Sequence, residues 1–195
     1  MEKFFLEEPS IERKAEAINY INEFLEYNSQ INGVGGLDRY LDDYEGWLQK
    51  LEEDYLREPN EDKVPARTYF LVRLSDNKIV GMINIRLVLN EKLRQGSGHI
   101  GYSIRPMERR KGYNKINLYL GLKVLQEHGE TEAMLSCVKS NLGSAKTMLA
   151  LGAKLQKEYY SDEYQEIEQV YTIDINESLE QYKDIYDPFI YKRTK

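Results

Sequence analysis

The segment Ile104–Lys115, IRPMERRKGYNK, gathers side chains of the kind that hold an anion. It contains five cations and one acid, Glu108, although the whole chain carries a formal charge of −6. Pro106 ends a strand-like pattern, and an apolar helical pattern begins just after Gly112. Charge of this density between a strand end and a helix start indicates a turn that binds phosphate. The cations are Arg105, Arg109, Arg110, Lys111 and Lys115.

The backbone of this segment adds to the charge of its side chains. The first turn of a helix leaves N–H groups unpaired and carries a partial positive charge of about half a unit. A glycine there lets a ligand approach the main chain without a side chain in the way. The segment therefore predicts a cradle for a diphosphate. It is neither a P-loop nor a dinucleotide fingerprint, because neither G-x-x-x-x-G-K-[ST] nor G-x-G-x-x-G occurs.

The composition of the chain argues against several classes of binding partner and against secretion. One short basic run on an acidic chain lacks the extended basic surface of a nucleic-acid binder. With one cysteine, Cys137, and two histidines, we expect no metal site. No run approaches the roughly 20 apolar residues of a membrane span, and the acidic N-terminus lacks the basic flank of a signal peptide. We expect a cytoplasmic protein that binds neither membrane nor nucleic acid.

The elements that must position the charged turn follow from the spacing of apolar residues. Helices are predicted at 10–27, 37–56, 113–128 and 141–151, and strands at 68–74, 78–89, 98–105, 133–138, 154–160 and 166–175. A strand–helix–strand order implies a parallel pair with a right-handed crossover. We predict a single α+β domain over residues 1–195, with a mixed, mostly antiparallel central sheet and helices on both faces. Residues 176–195 form a tail to which we assign no element.

Two segments together resemble a known family. IRPMERRKGYN is similar to the acetyl-CoA loop of the GNAT superfamily of N-acetyltransferases, in which an arginine or glutamine, a glycine and a final small residue recur. Arg109 and Gly112 fit that signature, and Asn114 stands in place of the small residue. NLGSAKTMLALGA resembles the family's later helix, with Asn141 and Ser144 at matching spacing. The likeness spans about residues 68–175, and GHIGYSIRP is similar to an uncharacterised bacterial branch of the superfamily.

The resemblance implies a binding site for acetyl-CoA as a co-substrate. Backbone groups at Ser103 and Ile104 would bind the pantetheine arm and polarise the thioester carbonyl. Asn141, with Ser144 beside it, would reach the arm from the neighbouring strand. Residues 1–66 would supply acceptor-side helices, and residues 67–175 the sheet and the coenzyme core. The pyrophosphate would lie against Arg109, Arg110, Lys111, Gly112, Tyr113 and Asn114.

The reaction implied is direct attack of a primary amine on the acetyl thioester, which requires a base and an acid. Met148 occupies the position of the family's usual tyrosine acid, and methionine cannot donate a proton. The alternative is therefore a silent sensor or interaction module that binds coenzyme A without turnover.

His99 and Tyr102 are the candidates for catalytic proton transfer. The expected hairpin register sets Asn84 opposite Ser103 and places His99 on the same polar face. Its near-neutral pKa suits a base, and a histidine bonded to a neighbouring loop is the structural alternative. Tyr102 alternates with apolar residues, which indicates core packing.

Uneven charge bears on the acceptor. Residues 1–66 sum to −10, which leaves +4 for residues 67–195 of the total of −6. An acidic front part favours a cationic acceptor, either a small molecule or a peptide amine. Solvated helix surfaces would explain the same asymmetry. Analogy with similar proteins also leaves a homodimer open.

Overall fold

The computed structural model describes residues 1–191, which form seven strands and six α-helices. The strands are β1 (Phe4–Glu7), β2 (Ala66–Arg73), β3 (Lys78–Arg86), β4 (Ile100–Ile104), β5 (Glu132–Val138), β6 (Lys154–Ser161) and β7 (Glu166–Asp174). The helices are α1 (Lys14–Glu26), α2 (Tyr44–Leu56), α3 (Glu91–Gln95), α4 (Tyr113–Glu127), α5 (Leu142–Leu149) and α6 (Ile175–Tyr186). None of these helices is long and apolar enough to cross a bilayer.

The strands form two antiparallel sheets, with the orders β1-β2-β3-β4 and β5-β7-β6. The sheets meet where Gly98 bridges Leu135 and the His99 N–H donates to the Met134 carbonyl over 2.7 Å. Beyond that junction β4 and β5 do not pair, so the expected parallel ladder between them is not formed within residues 1–191. The predicted α+β class, mostly antiparallel with helices on both faces, is confirmed.

Alternating side chains give the first sheet two apolar faces, and each buries a different core. On one face α1 and α2 cover the sheet, with Tyr20, Phe24 and Trp47 fully buried. On the other face α4, α5 and α6 contribute to a core that also receives Leu135 and Ile173 from the second sheet. Full burial of each such side chain contributes about 1.5–3 kcal/mol. The second core therefore holds the two sheets together.

The β3–β4 hairpin register differs by two residues from the expected one. Asn84 lies opposite Gly101, and Met82 lies opposite Ser103. The short helix α3 occupies the connection, capped by the Asn90 side chain, which accepts a hydrogen bond from the Leu93 N–H. A shift of two residues keeps every side chain on its predicted face.

Both ends of the chain contain elements that the sequence pattern did not predict. Strand β1 lies within residues 1–66, the part that was expected to contain only helices, and it pairs with β2. Helix α6 begins at Ile175, the last residue of the predicted strand, and continues into the predicted tail, and Ile190 then bridges Phe4. Residues 192–195 of the predicted tail lie outside the described residues.

Helix α2 starts at Tyr44 because the Asp43 side chain caps it by accepting from the Gly46 N–H.

Candidate active site

A cleft of about 1200 Å³ opens beside the junction of the two sheets. Residues 30–36 of the α1–α2 loop and the inner face of α2 form one wall. The other wall consists of parts of β3, β4 and β5 and the start of α5. Gly33 lets the loop lie directly on β4, since its φ is +67° and a Cβ would sit 2.4 Å from the Gly101 backbone. The loop thus covers the strand without a side chain between them.

Strand β4 directs unpaired backbone groups toward the second sheet. In an antiparallel ladder, alternate residues bond to a given neighbour. The Arg105 N–H donates to the Val80 carbonyl, so the residues in phase with Arg105, including Ser103, face β3. Tyr102 and Ile104 face the opposite edge, where no strand of residues 1–191 pairs with them.

Strand β5 presents the same arrangement from the other side. The Lys139 N–H donates to the Ile167 carbonyl, which puts the alternate residues Ser136 and Val138 toward β4. A gap with backbone donors and acceptors on both sides therefore runs between the sheets. Tyr102, Ser136 and Val138 also line the cleft. An extended, amide-containing chain such as pantetheine can fill this gap like a missing strand.

The structure contradicts Ser103 as a backbone partner of that arm. Its main-chain groups face β3, and its hydroxyl lies 3.0 Å from the Tyr20 hydroxyl under α1. The residue is buried. Ile104 faces the gap as predicted, although its carbonyl already accepts a hydrogen bond from Arg109 Nε at 3.1 Å.

The start of α4 is open to a ligand. Gly112 is the N-cap residue with φ +83°, and no side chain caps the helix. A Cβ at this glycine would meet nothing within 4 Å. Exposed Arg110 also has a positive φ, +63°, a conformation that costs a residue with a Cβ roughly 1–2 kcal/mol. Uncapped N–H groups facing open space fit a diphosphate.

Most of the predicted cations of the loop are engaged within the protein. Buried Arg105 pairs with Glu23 at 3.0 Å, and Arg109 donates to Ser29 Oγ at 2.7 Å. Lys111 pairs with Glu108 at 2.8 Å. Arg109, Arg110 and Lys115 form no ion pair within residues 1–191. Two of the five positive charges are thus neutralised inside the protein, and Arg110 and the helix start face the open side for a ligand.

Glu108 anchors the loop to the first sheet. Burial alone would raise its pKa, but hydrogen bonds from Arg73, Lys111 and Lys78 lower the pKa of Glu108 to about 2. The carboxylate is therefore charged throughout the physiological range. A turn tied down in this way presents its backbone in a fixed position.

Tyr113 and Asn114 point in different directions from the helix start. The Tyr113 ring packs on Phe4 at 4.7 Å and its hydroxyl donates to Glu2, so its side chain serves the N-terminal strand. Asn114 Nδ2 reaches Thr147 Oγ1 on α5 at 3.4 Å. Its Oδ1 is buried without a partner among residues 1–191. This atom is an acceptor available to a ligand lying between α4 and α5.

Asn141, Ser144 and Tyr102 meet at the wall of the gap. Asn141 caps α5, with its Oδ1 accepting from the Ser144 N–H at 3.1 Å. The Ser144 hydroxyl lies 2.9 Å from the Tyr102 hydroxyl. Burial raises the pKa of Tyr102, which keeps its hydroxyl protonated. Strand β4 and helix α5 are therefore linked by two hydroxyl groups that line the cleft.

The geometry of His99 contradicts the catalytic prediction. It favours the alternative in which the hydrogen bonds of the ring serve the structure of the protein. Its Nδ1 accepts a hydrogen bond from the Met134 N–H at 3.0 Å, and the residue is 3% exposed. Burial, with the charges of Arg94 and Arg86, lowers the pKa of His99 from 6.5 to about 4. His99 does not line the cleft. It joins the two sheets at their junction.

Met148 is fully buried in the core shared by both sheets. The position at which the family places its tyrosine acid therefore faces away from solvent and holds no proton donor. A proton for the departing thiolate must therefore come from another residue or from solvent.

Glu168 is a cleft residue that the sequence analysis did not select. It lies on β7 and is 6% exposed, and its carboxylate accepts a hydrogen bond from the Tyr159 hydroxyl at 2.7 Å. No cation of residues 1–191 forms an ion pair with it. The signal was its alternation with Val170 and Thr172 in EIEQVYT, which puts an acid in phase with a partly apolar strand face.

The charged residues of the cleft wall balance. Five acids, Asp38, Glu53, Asp54, Asp62 and Glu168, accompany five bases, Arg39, Lys50, Arg57, Lys63 and Arg86. Residues 1–66 carry a net negative charge, but the wall of the cleft therefore has no net charge.

Comparison with known proteins agrees with this geometry. Residues 35–153 match the profile of the Acetyltransferase (GNAT) family. No curated protein matches the sequence. Among solved structures, a ribosomal-protein-S5-alanine acetyltransferase from Vibrio fischeri has a TM-score of 0.65 at 17% identity, covering 89% of this chain and 94% of that one. Below 25% identity such a likeness shows the fold alone.

Two further structures share the fold. RimJ from Mycobacterium smegmatis in complex with CoA-disulfide has a TM-score of 0.68 at 13% identity, covering 92% of this chain and 89% of that one. A spermidine N-acetyltransferase SpeG chimera from Vibrio cholerae and hSSAT has a TM-score of 0.67 at 14% identity, covering 91% and 99%. The family profile spans more than half of the chain, and the gap and helix start fit acetyl-CoA. The chain therefore belongs to the GNAT family of acetyltransferases and is an N-acetyltransferase whose acetyl donor is acetyl-CoA.

Proposed function

We propose that the chain moves the acetyl group of acetyl-CoA to a primary amine of a small molecule or peptide, by direct attack within the cleft. The observation that carries the proposal is the gap between β4 and β5, whose free backbone edges open into the cleft. An arm laid in that gap would place its thioester at the cleft, where the acceptor enters. Solved relatives of the fold include enzymes named for spermidine and for a protein alanine, both amines.

We assign the base to Glu168 in place of His99. The attacking amine must be neutral, so a group in the cleft has to take its proton, directly or through water. Glu168 is the buried carboxylate of the cleft wall, and its hydrogen bond from Tyr159 fixes its orientation. Because no cation of the described chain neutralises it, the carboxylate is available to an ammonium group.

Tyr102 is the candidate hydrogen-bond donor to the departing thiolate. Its hydroxyl lies at the wall of the gap and is held by Ser144. Burial raises the pKa of Tyr102 above that of a thiol, so the hydroxyl keeps its proton and stabilises the thiolate by a hydrogen bond, while the sulfur takes its proton from water. This assignment compensates for Met148, which cannot serve.

Binding and turnover can be tested with the same protein. Calorimetry would measure acetyl-CoA binding, and a thiol reagent would follow coenzyme A release with a panel of amines. Release that depends on the amine supports the proposal. Tight binding without release from any amine would instead favour the sensor, and absence of binding would exclude both.

The acceptor class and location are part of the same proposal. The balanced charge of the cleft wall does not single out a polycation, so the panel should include neutral, cationic and zwitterionic amines. We keep the cytoplasm as the proposed location, because Cys137 is a free thiol, as expected in a reducing compartment.

A further inference from the structure

Arg86 is a cation of the cleft wall without an anionic partner. It is the last residue of β3, and its Nη1 donates to the Gly98 carbonyl at 2.8 Å. No carboxylate of residues 1–191 forms an ion pair with it. Burial lowers the pKa of the Arg86 guanidinium, yet an arginine stays charged in proteins.

Arg86 differs in this respect from the other bases of the wall. Lys50 and Arg57 both pair with Asp54. Arg39 and Lys63 are exposed, so water solvates their charge. A partly desolvated charge without a counter-ion is unfavourable, and proteins usually pair it. The missing counter-ion at Arg86 indicates a group that arrives with a ligand.

A second unpaired charge of opposite sign lines the same cleft. Glu168 has no cationic partner among the described residues, and it does not pair with Arg86 although both line the wall. Tyr164 lines the same cleft as these two residues. The two groups thus flank a common space while remaining apart.

We propose that the acceptor carries a carboxylate as well as its primary amine, and that Arg86 binds this carboxylate while the amine lies toward Glu168. The inference rests on the proposed function and specifies its substrate class. One free guanidinium matches a group of unit negative charge. A phosphate dianion would exceed the positive charge available on a wall whose acids and bases already balance.

The test compares amino acids with their own primary amides, which differ in charge at one position. Glycine, β-alanine, γ-aminobutyrate and 6-aminohexanoate vary the spacing between amine and carboxylate. For at least one spacing we expect kcat/KM to be roughly 10–100-fold higher for the acid than for the amide, as for one charge-assisted hydrogen-bonded pair. Comparing that ratio between variants cancels differences in the basicity of the amines.

Arg86→Gln removes the charge but keeps a donor for the Gly98 carbonyl, and we expect the ratio to fall to about 1. Arg86→Lys should give an intermediate ratio, because lysine keeps the charge but loses the bidentate geometry. Lys154→Met is the control: it removes an exposed cation that does not line the cleft and whose partner, Glu177, does not line it either, and it should keep the ratio of the unmodified protein.

Calorimetry in the presence of coenzyme A measures the dissociation constants of the same acids and amides. The difference between them gives the effect of the carboxylate on binding, independently of turnover. A ratio near 1 at every spacing, or a preference that survives in Arg86→Gln, would overturn the inference while leaving acetyl transfer intact. If no amine releases thiol, the proposed function fails. Calorimetry then still decides this inference, since acids that bind no tighter than their amides contradict it.

Discussion

Glu168 and His99 could both accept a proton, but their positions and hydrogen-bond partners differ. Glu168 lies at the cleft wall with the Tyr159 hydroxyl as its partner. His99 has the more suitable pKa in isolation, but its Nδ1 is occupied by the Met134 N–H and the ring is away from the cleft. A base needs access to its substrate before its pKa matters. Access to the cleft is therefore the reason why we propose Glu168 and not His99 as the base.

Replacing Glu168 by glutamine should lower kcat by about 10²–10⁴-fold, the usual contribution of a general base. The affinity for acetyl-CoA should stay within about threefold, because we place this residue on the acceptor side. Steady-state kinetics and calorimetry measure the two effects separately. Glu163→Gln, which removes an equal charge from the exposed turn before β7, is the control. Full activity in Glu168→Gln would rule out this base.

Gly112 is the second residue at which a single change is informative. Gly112→Asp adds a negative charge at the open start of α4, so we expect the dissociation constant of acetyl-CoA to rise at least tenfold by repulsion of its phosphates. Gly129→Asp is a matched control, since that glycine also has a positive φ and open space but lies at the other end of the helix. Equal binding by both variants would mean that the diphosphate lies elsewhere.

At the scale of elements, one histidine side chain contributes to the junction between the two sheets. Folded His99 has a pKa of about 4 against an ordinary 6.5, so it is neutral in the folded protein and charges more readily when unfolded. Above pH 6.5 the contribution of His99 to the free energy of unfolding does not change with pH. Stability then falls as the pH drops from 6.5 toward 4, by about 3 kcal/mol at most.

His99→Asn tests this contribution, since asparagine can accept the Met134 N–H but does not titrate. Urea unfolding across pH 4–8 should show a smaller loss of stability on acidification in the variant than in the unmodified protein. Glu130, 3.8 Å from Nε2, favours the charged ring, and Arg86 and Arg94 oppose it. Parallel pH profiles for the two proteins would contradict the role assigned to the ring.

At the scale of the whole molecule, acetyl-CoA is expected to join the two sheets. An arm in the gap would accept from the Tyr102 and Ile104 N–H groups, which face no strand, and would leave the Ser103 N–H on β3 unaffected. A ligand bound only by the folded state adds about 2.7 kcal/mol at 100 times its dissociation constant. The coenzyme should therefore stabilise the junction as well as supply the acetyl group.

Hydrogen exchange followed residue by residue can measure this effect. Coenzyme A should slow exchange at Tyr102 and Ile104 relative to Ser103, beyond the uniform slowing expected from global stabilisation. Protection of Ser103 alone, or of none of the three, would contradict the placement of the arm.

The sequence by itself determined the short-range features. The turn from Ile104 to the start of α4 at Tyr113 depends on residues a few positions apart, so the pattern predicts it correctly. The binary apolar pattern likewise predicted the α+β class and the order of the central elements, although not β1, α3 or α6. These features need no knowledge of distant contacts.

Only the tertiary structure decided which of those residues reach the cleft. A two-residue difference in hairpin register, the packing of α1 over Ser103 and the contact of His99 with β5 all join positions far apart in the chain. Arg86 and Glu168 come from different sheets and share one wall. Long-range contacts depend on the packing of whole faces, which local spacing does not encode. The local conformation of the turn that we propose binds the coenzyme could therefore be predicted from the sequence, whereas the residues that line the acceptor side could not.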